Sequence, residues 1–362
     1  VAFLILIIIN SCLIIIQMFD KKNNKPFLIA EISSNHNGKI NNAKKLIDLA
    51  KISGANAVKL QTFTPEKMSL KIKSDLFKIK EGNWKNYYLY ELYQKAQTPL
   101  IWHKNLFAYA RKRKILIFST PFDEDSVDFL EKINCPMYKI SSFEMTDIPL
   151  IKKVASTKKP MIISTGLSNL KEIDYTFSIA KKYGAKKIAL LYCVSNYPAK
   201  TSDFNLNNIR ILKERYKCTI GLSDHSNDNE IAQNAISCGA EIIEKHVALK
   251  NQKSGLDLNF STKGLELKVF REKIDKAYSL LGKRFFYRTK SELKNIKFRR
   301  SIFARKDIEK NEKFCSKNIV RVRPGFGLPP IYYEKLLNKK SPFKIKKGQP
   351  LKNIILRKLK IK

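Results

Sequence analysis

The stretch CTIGLSDHSNDNEIAQNAISCGAEIIEKHVAL, residues 218–249, contains two apolar segments of β type separated by a run with helical spacing. Each apolar segment leads to a histidine, His225 in the first and His246 in the second. If the two segments are neighbouring parallel strands, both imidazoles emerge at the same edge of one sheet. Because neutral imidazole suits divalent cations, the stretch predicts either a metal site or two hydrogen-bonded histidines near the strand ends.

The same strand–helix unit repeats along most of the chain. Helical runs such as AKKLIDLAKI and DSVDFLEKI alternate with eight short apolar runs. We predict strands at Phe27–Ile32, Ala57–Leu60, Ile115–Phe118, Met137–Ile140, Met161–Ile163, Ile188–Cys193, Thr219–Leu222 and Glu241–Glu244. Three helical runs end in Gly54, Gly184 and Gly239, where a left-handed C-terminal cap is expected. Eight such units in about 260 residues predict an α/β fold, a (β/α)8 TIM barrel.

Two terminal regions differ from this repeat. Residues 1–19 carry no charge and are followed by several lysines, so we expect residues 1–20 to be a membrane anchor or the product of a misassigned start. The predicted barrel covers residues 26–285 and is followed by a charged linker, residues 286–298. Short strand-like pieces (SIFA, IVRVRP, NIIL) broken by proline and glycine predict a small, mostly β domain at residues 299–362.

The net charge of +38, from 70 Lys+Arg against 32 Asp+Glu, admits two interpretations. It could serve nucleic acid or anionic lipid, or it could reflect compositional drift toward Lys, Asn and Ile. Drift is favoured because the chain contains no recognisable nucleic-acid module, so no specific nucleic-acid partner is expected. Six cysteines without a C-x-x-C pair indicate a reducing, cytoplasmic location, with membrane contact only through residues 1–19.

Ionisable and hydroxyl side chains are concentrated where the predicted strands end, which is where barrel enzymes place their chemistry. The set comprises Glu31, Ser33, Asn35, His36, Lys59, Gln61, Ser119, Thr120, Asp123, Lys139, Ser141, Ser142, Glu144, Ser164, Thr165, Gly166, Ser195, Asn196, Tyr197, Ser223, Asp224, His225, Lys245 and His246. Ammonium, hydroxyl and glycine N–H groups together predict a cradle for phosphate or carboxylate. Glu31 interrupts an apolar run and would be costly to bury unpaired, which favours a functional role. Single serines are more common as turn and cap residues.

Several motifs in order along the chain resemble the sialic acid synthase family, whose members condense phosphoenolpyruvate with an amino sugar. They are AEISSNHNGKINNAKKLI, GANAVKLQTFTPEKM, FSTPFDEDSVDFL, YKISSFEMTDIPLI, IISTGLSNLKEI, GLSDHS and EKHVAL. FRRSIF and VRPGFGL resemble the family's C-terminal antifreeze-like (SAF) domain, a β-clip fold. The motif wording is most similar to the pseudaminic acid synthase branch. The resemblance extends from Pro26 to the C-terminus.

The resemblance implies a role for each matched residue. It implies metal ligands at His225 and His246, holding Mn²⁺ or Mg²⁺, with Co²⁺ as a further option. It implies phosphoenolpyruvate contacts at Lys59, Lys139, Ser142, Ser164, Ser195 and Ser223, and acceptor-sugar contacts at Gln61, Glu144, Tyr197 and Asp257. Glu31, with Lys59 and Lys139, is implied as catalytic. Arg323 is implied to reach a partner's barrel, which predicts a domain-swapped homodimer.

Three functions remain open at this point. The resemblance favours condensation of phosphoenolpyruvate with 2,4-diacetamido-2,4,6-trideoxy-L-altrose, and a neuraminate or legionaminate synthase is the alternative. A basic nucleic-acid- or membrane-associated protein on an inactive barrel belongs to a different class. Two departures from the family pattern concern the site. Leu256 replaces a proline before Asp257, and Ser195 stands where the neuraminate branch has an amide. For apolar contacts to the sugar we expect Phe63, Met68, Tyr87 and Tyr88 from the insert at residues 62–99.

Overall fold

A computed structural model describes residues 13–19, 25–282 and 285–361. The chain divides into two compact units, residues 1–282 and residues 283–362. Each unit has its own apolar core.

The first unit is a closed barrel of eight parallel strands. They are β1 (Phe27–Glu31), β2 (Ala57–Thr62), β3 (Leu116–Pro121), β4 (Tyr138–Ile140), β5 (Met161–Ser164), β6 (Ile188–Cys193), β7 (Thr219–Asp224) and β8 (Ile242–Ala248). Consecutive strands pair in order, and β1 also pairs with β8, which closes the sheet. The predicted (β/α)8 barrel is therefore confirmed. A short β9 (Thr262–Lys263) pairs with the end of β8.

Helices connect the strands on the outside of the barrel. Each strand from β1 to β8 is followed by at least one of them. They are α2 (Ile40–Ile52), α3 (Pro65–Met68), α4 (Leu89–Ala96), α5 (Leu100–Lys112), α6 (Glu124–Lys132), α7 (Ile148–Ser156), α8 (Leu170–Lys182), α9 (Asn207–Tyr216), α10 (Asn229–Ser237) and α11 (Glu266–Leu280). Three glycines have positive φ after α2, α8 and α10, as predicted: +80° at Gly54, +114° at Gly184 and +104° at Gly239. These left-handed caps turn the chain back toward the next strand.

The eighth strand is longer than the sequence predicted, because it continues to Ala248 instead of ending at Glu244. His246 therefore lies inside β8, where it is directly opposite Glu31 of the neighbouring strand β1. Alternation along a strand places Glu244 and His246 on one face and Lys245 on the other. Every residue of β8 is buried, as expected for a strand covered on both sides.

Residues 13–19 form a helix, α1, that belongs to the barrel's core. Ile15 and Met18 are 7% and 3% exposed and pack in the same apolar cluster as the strands. The predicted membrane anchor thus includes a portion that is packed against protein, and its residues 1–12 lie outside the described residues. Among the described parts of the chain, no helix is both long and apolar enough to cross a membrane.

The second unit is small and built around a two-stranded antiparallel sheet. Strand β10 (Ser301–Ala304) pairs with β11 (Ile319–Val322), and the helices α12 (Lys290–Leu293), α13 (Tyr333–Leu336) and α14 (Asn353–Lys358) complete it. The prediction of a strand at NIIL, residues 353–356, is wrong, because this segment begins α14. Ile355 and Leu356 face the core while Ile354 is 53% exposed, a helical rather than an alternating pattern.

Candidate active site

Two lysines and two glutamates from four strands meet inside the barrel at the carboxyl ends of its strands. The Lys59 Nζ lies 2.7 Å from Glu31 Oε2 and 3.7 Å from Glu244 Oε1. The Lys139 Nζ lies 3.1 Å from the same Glu244 oxygen. Lys59 also donates to Thr120 Oγ1 at 3.0 Å. We call Glu31, Lys59, Lys139 and Glu244 the charged cluster.

The charged cluster is buried, and burial shapes its protonation. Burial raises the pKa of Glu31 to about 7, although the adjacent Lys59 ammonium opposes the shift. Burial also favours a neutral Glu244, but Lys139 and Lys59 outweigh it and lower the pKa of that carboxyl to about 2. Desolvation lowers the pKa of Lys139. Glu244 is therefore the fixed anion of the cluster, and Glu31 is the carboxyl that can exchange a proton near neutral pH.

A rim of hydroxyl groups lies next to the charged cluster. Ser223 Oγ donates to Glu244 Oε1 at 3.0 Å, and Ser142 Oγ accepts the N–H of Gly166 at 3.2 Å. Within the described residues, the buried Ser164 Oγ has no hydrogen-bond partner. A Cβ added to Gly166 would lie 2.2 Å from the Ser195 Oγ and 2.7 Å from the Ser142 Oγ. The loops after β4, β5 and β6 thus leave a narrow space bordered by hydroxyl groups.

The two histidines of the opening motif lie side by side. The ring centroids of His225 and His246 are 5.4 Å apart, and both rings are buried. His225 Nδ1 lies 3.1 Å from the Val194 carbonyl oxygen, which accepts from the ring N–H and leaves Nε2 as the lone-pair nitrogen. Burial holds the pKa of His246 well below its ordinary value, so this imidazole is neutral.

Three aromatic rings surround the histidines. Tyr197, which follows β6, lies 4.3 Å from the His225 ring, and Phe260 lies 4.9 Å from the His246 ring. Trp84, from the insert after β2, lies 5.3 Å from the Tyr197 ring and 6.4 Å from the Phe260 ring. We call Trp84, Tyr197 and Phe260 the aromatic wall. The site therefore has two halves, the charged cluster and the histidine pair with its wall.

Asp257 joins two loops at the barrel's mouth. Its Oδ2 accepts hydrogen bonds from Ser33 Oγ and, at 2.8 Å, from Ser34 Oγ, both in the turn after β1. Asn35, in the same turn, donates to the Val247 carbonyl at 2.9 Å and to Ser261 Oγ at 2.8 Å. The loop that contains Leu256 in place of proline is thus held by side-chain hydrogen bonds.

The structure brings most of the predicted site residues to one end of the barrel. Gln61 lies at the end of β2, half-buried, and Glu144 follows β4, where it accepts a hydrogen bond from Ser141 Oγ. Burial raises the pKa of Glu144 to about 7. Arg323 lies in the second unit after β11 and is exposed.

Other strand-end residues have partners that suggest a structural role. Lys245 points to the opposite face of β8, where its Nζ lies 2.8 Å from Asp224 Oδ2. His36 is buried, with its Nε2 3.2 Å from Thr98 Oγ1 and its Nδ1 accepting the Gly38 N–H at 3.1 Å. The side chains of Lys245 and His36 therefore have their ion-pair and hydrogen-bond partners outside the charged cluster.

Of the four apolar contacts predicted from the insert, the structure corrects one, Phe63. Phe63 is 2% exposed and packs between Tyr93 and Phe122, so it is part of the insert's own core. The rings of Tyr87 and Tyr88 lie under the ammonium groups of nearby lysines. The insert's aromatic residue in the aromatic wall is Trp84, which was not predicted from the sequence.

Glu244 was also missed. Its position two residues before His246 would have revealed it, because alternate residues of a strand share a face. The signal was lost because the strand was predicted to end at Glu244. Phe260 has no comparable local signal, since it lies in a short 3-10 turn whose placement depends on the whole loop.

The donor set fits a divalent metal bound by the two histidines. Within the described parts of the chain, His246 Nδ1 is buried without a hydrogen-bond partner, and no group of three or more His, Cys, Asp or Glu side chains is arranged for a metal. Two imidazoles with further positions left for oxygen ligands suit a catalytic ion better than a closed structural site.

Proteins of known name resemble this chain in sequence and in fold. A pseudaminic acid synthase from Campylobacter jejuni subsp. jejuni serotype O:2 is 40% identical over 330 residues, covering 91% of this chain and 96% of the relative. An N,N'-diacetyllegionaminic acid synthase from the same organism is 39% identical over 319 residues, covering 87% and 95%. The crystal structure of N-acetylneuraminic acid (sialic acid) synthetase from Leptospira borgpetersenii serovar Hardjo-bovis, in complex with citrate, superposes with a TM-score of 0.68 at 32% identity, covering 76% of this chain and 91% of that one.

Fold and site together define a (β/α)8-barrel synthase, a transferase-type enzyme, followed by a separate small domain. The chain belongs to the NeuB family, whose model matches residues 46–285, and a SAF domain matches residues 299–353. The predicted family, the SAF domain and the transferase class are confirmed by these matches. The relatives named pseudaminic and legionaminic acid synthase are nearly equal in identity to this chain, at 40% and 39%.

Proposed function

We propose that the chain is a pseudaminic acid synthase, which condenses phosphoenolpyruvate with 2,4-diacetamido-2,4,6-trideoxy-L-altrose. The main observation that supports this proposal is the buried pair of lysines, Lys59 and Lys139, at the same end of the barrel as the histidine pair. An anionic donor and a carbonyl acceptor need two such different surfaces side by side. The name of the Campylobacter relative supports the choice of sugar.

The charged cluster with its hydroxyl rim is proposed to bind phosphoenolpyruvate. Lys59 and Lys139 supply ammonium groups to the donor's carboxylate and phosphate, and Ser142, Ser164 and Ser223 supply hydroxyls. Ser195 borders the same space. In the absence of substrate Glu244 balances the lysines, so the cations are held in place without a bound anion. Such preorganised donors stabilise charge that develops during the reaction.

The second half of the site is proposed to hold the sugar. Gln61, Glu144, Tyr197 and Asp257 are the residues we assign to its hydroxyl and amide groups. When bound by His225 and His246, a divalent ion such as Mn²⁺, Mg²⁺ or Co²⁺ would supply Lewis-acid polarisation of the sugar's aldehyde. The neutral state of His246 is the protonation state that this binding requires.

The bond changes in the proposed reaction balance with one water. C3 of phosphoenolpyruvate forms a bond to the aldehyde carbon, and the aldehyde oxygen takes a proton. Water adds at C2, and the C2–O bond to phosphate then breaks, giving a 2-oxo acid and inorganic phosphate. Glu31, with a pKa raised to about 7 beside Lys59, is suited to move the proton released by the water.

We propose further that the enzyme acts in the cytoplasm as a domain-swapped homodimer. In this proposal Arg323 of one subunit completes the sugar site of its partner, because a planar guanidinium can hold a carbonyl or carboxylate in bidentate fashion. Mixing Arg323→Ala with His246→Ala subunits should restore part of the activity, since a hybrid dimer has one intact site. No recovery despite demonstrated subunit exchange would contradict the swap.

Phosphate release with a panel of sugars tests the assigned acceptor. We expect 2,4-diacetamido-2,4,6-trideoxy-L-altrose to be turned over faster than the corresponding legionaminate precursor and N-acetylmannosamine. Faster turnover of the legionaminate precursor would replace the sugar and keep the reaction. Absence of phosphate release with every sugar, in the presence of added divalent metal, would contradict the proposed function.

A further inference from the structure

The insert between β2 and α5 is fastened to the loop after β8 by three hydrogen bonds. The Leu256 carbonyl accepts from Asn83 Nδ2 at 2.7 Å and from Trp84 Nε1 at 2.9 Å. Asn259 Nδ2 donates to Asn83 Oδ1 at 2.7 Å. Residues 83–84 thus form hydrogen bonds with both ends of the segment 256–259, which contains Asp257.

The Trp84 ring also touches the part of the site that contains the histidines. It lies 5.3 Å from Tyr197 with a 42° tilt, and Tyr197 lies 4.3 Å from His225 with a 38° tilt. Phe260 packs edge-on against Trp84 and against His246. The half-buried Trp84 indole has ring contacts and a partner for its N–H, and both come from elements of the acceptor half.

These contacts all lie on one half of the site. Trp84 contacts the rings of Tyr197 and Phe260 and donates a hydrogen bond to the carbonyl of Leu256, and these three partners lie outside the charged cluster. A residue that orders only the acceptor half should affect only the acceptor's binding. The contrast with the lysines provides a way to separate this role from general stabilisation.

We infer that Trp84 is a positioning residue for the acceptor sugar, acting through Tyr197 and the turn at Leu256. It sets the Tyr197 ring against His225 and fixes the backbone that presents Asp257. This inference rests on the proposed function, because it names the residue that orders the sugar's side of the same site.

Steady-state kinetics with 2,4-diacetamido-2,4,6-trideoxy-L-altrose and phosphoenolpyruvate test the inference. Trp84→Ala should raise the KM for the sugar about tenfold while changing the KM for phosphoenolpyruvate less than about twofold, since it loses two ring contacts and one hydrogen bond. Trp84→Phe keeps a ring and should show an intermediate rise. Asn83→Ala, which removes the second donor to Leu256, should show a smaller rise in the same KM. Trp102→Phe, at the chain's other tryptophan, is the matched control and should leave both KM values unchanged.

Fluorescence supplies a readout that does not depend on turnover. In the Trp102→Phe enzyme all indole emission comes from Trp84, because the chain has two tryptophans. Titration with the sugar should change this emission, and titration with phosphoenolpyruvate alone should change it little. If Trp84→Ala does not fold, Trp84→Phe and this titration still decide the question.

The outcomes separate the inference from the proposed function. Wild-type turnover with unchanged sugar KM in the Trp84 variants, or equal increases in both KM values, would overturn the positioning role and leave the reaction intact. An emission of Trp84 that does not respond to the sugar would also overturn it. Failure of the wild-type enzyme to release phosphate with any sugar would contradict the proposed function itself.

Discussion

The two halves of the barrel's mouth are built by different physical means. The charged cluster is carried by strands: Glu31, Lys59, Lys139 and Glu244 belong to β1, β2, β4 and β8, and each is at most 4% exposed. The aromatic wall is carried by loops, with Trp84, Tyr197 and Phe260 outside the eight barrel strands. The charged cluster is held by strands of one sheet, while the aromatic wall depends on hydrogen bonds between segments far apart in sequence.

The difference between the two halves matches the chemistry of the two proposed substrates. A small, highly charged donor such as phosphoenolpyruvate is bound best by fixed cations, since reorganising charges in a buried site is costly. A larger sugar needs shape, which loops can provide. The comparison predicts that damage to the strand-borne half affects stability and donor binding together, whereas damage to the loop-borne half affects catalysis with little loss of stability.

The largest effect is expected at the histidine pair. His246→Ala should lower kcat by a factor on the order of 10³, because the site would lose one of the two proposed metal ligands and, with it, the proposed Lewis acid. The fold should remain, since within the described residues the Nδ1 of His246 has no partner to lose. Activity, metal content and thermal unfolding of the purified variant check this.

Chelation is the control for that prediction. Removing divalent metal from the wild-type enzyme should give the same loss, and added Mn²⁺, Co²⁺ or Mg²⁺ should restore activity to the wild type alone. Full turnover by the metal-stripped wild type would show that the two histidines serve a structural purpose.

The second effect concerns the anion of the charged cluster. Glu244→Gln should lower the free energy of unfolding by about 3–5 kcal/mol, because two buried lysines lose their shared carboxylate. The KM for phosphoenolpyruvate should change as well, since the lysines would no longer be held in place by their shared carboxylate. Chemical denaturation and steady-state kinetics measure the two quantities.

Lys245→Met is the matched variant for Glu244→Gln. It breaks a buried ion pair with Asp224 on the opposite face of the same strand, so it should destabilise by a similar amount. Its KM for phosphoenolpyruvate should stay close to the wild-type value. If both variants altered donor binding equally, the charged cluster would have no specific role beyond stability.

Most strand-borne features of the molecule could be predicted from the sequence, whereas several loop-borne features could not. The strands, the glycine caps and residues such as Lys59 and His225 follow from local periodicity, because strand ends of a barrel converge whatever the loops do. Trp84 and Phe260 could not be predicted, since their neighbours are set by loop hydrogen bonds across more than a hundred residues. Glu244 was not predicted as a site residue because the predicted end of β8 was placed too early in the sequence. In the second unit, NIIL was predicted as a strand because a four-residue apolar run does not distinguish strand from helix.

The third effect is a dependence of stability on pH that Glu144 should impose. Burial raises its pKa to about 7, whereas the unfolded chain has a carboxyl near 4.5. Between these values the folded protein holds a proton that the unfolded chain has released, so stability should fall as pH rises from about 4.5 to about 7 and level off above.

Glu144→Gln removes this titration. At pH 8 the variant should be more stable than the wild type by about 1–3 kcal/mol, and near pH 4.5 the two should be equal. Urea denaturation at both pH values measures the difference. A difference that does not depend on pH would show that the Glu144 carboxyl titrates normally in the folded enzyme.

The smallest effect on stability is expected at Ser164. Among the residues that the structure describes, its buried hydroxyl has no hydrogen-bond partner, so Ser164→Ala should change the free energy of unfolding by less than about 0.5 kcal/mol. Ser142→Ala is the matched variant. It removes the acceptor of the Gly166 N–H and should cost about 1 kcal/mol. Both hydroxyls are assigned to phosphoenolpyruvate, so both variants should raise its KM by about tenfold, as expected for hydrogen bonds to a charged ligand. An unchanged KM in Ser164→Ala would mean that the orphaned hydroxyl does not face the donor, and the boundary between the strand-borne half and the rest of the site would have to exclude β5.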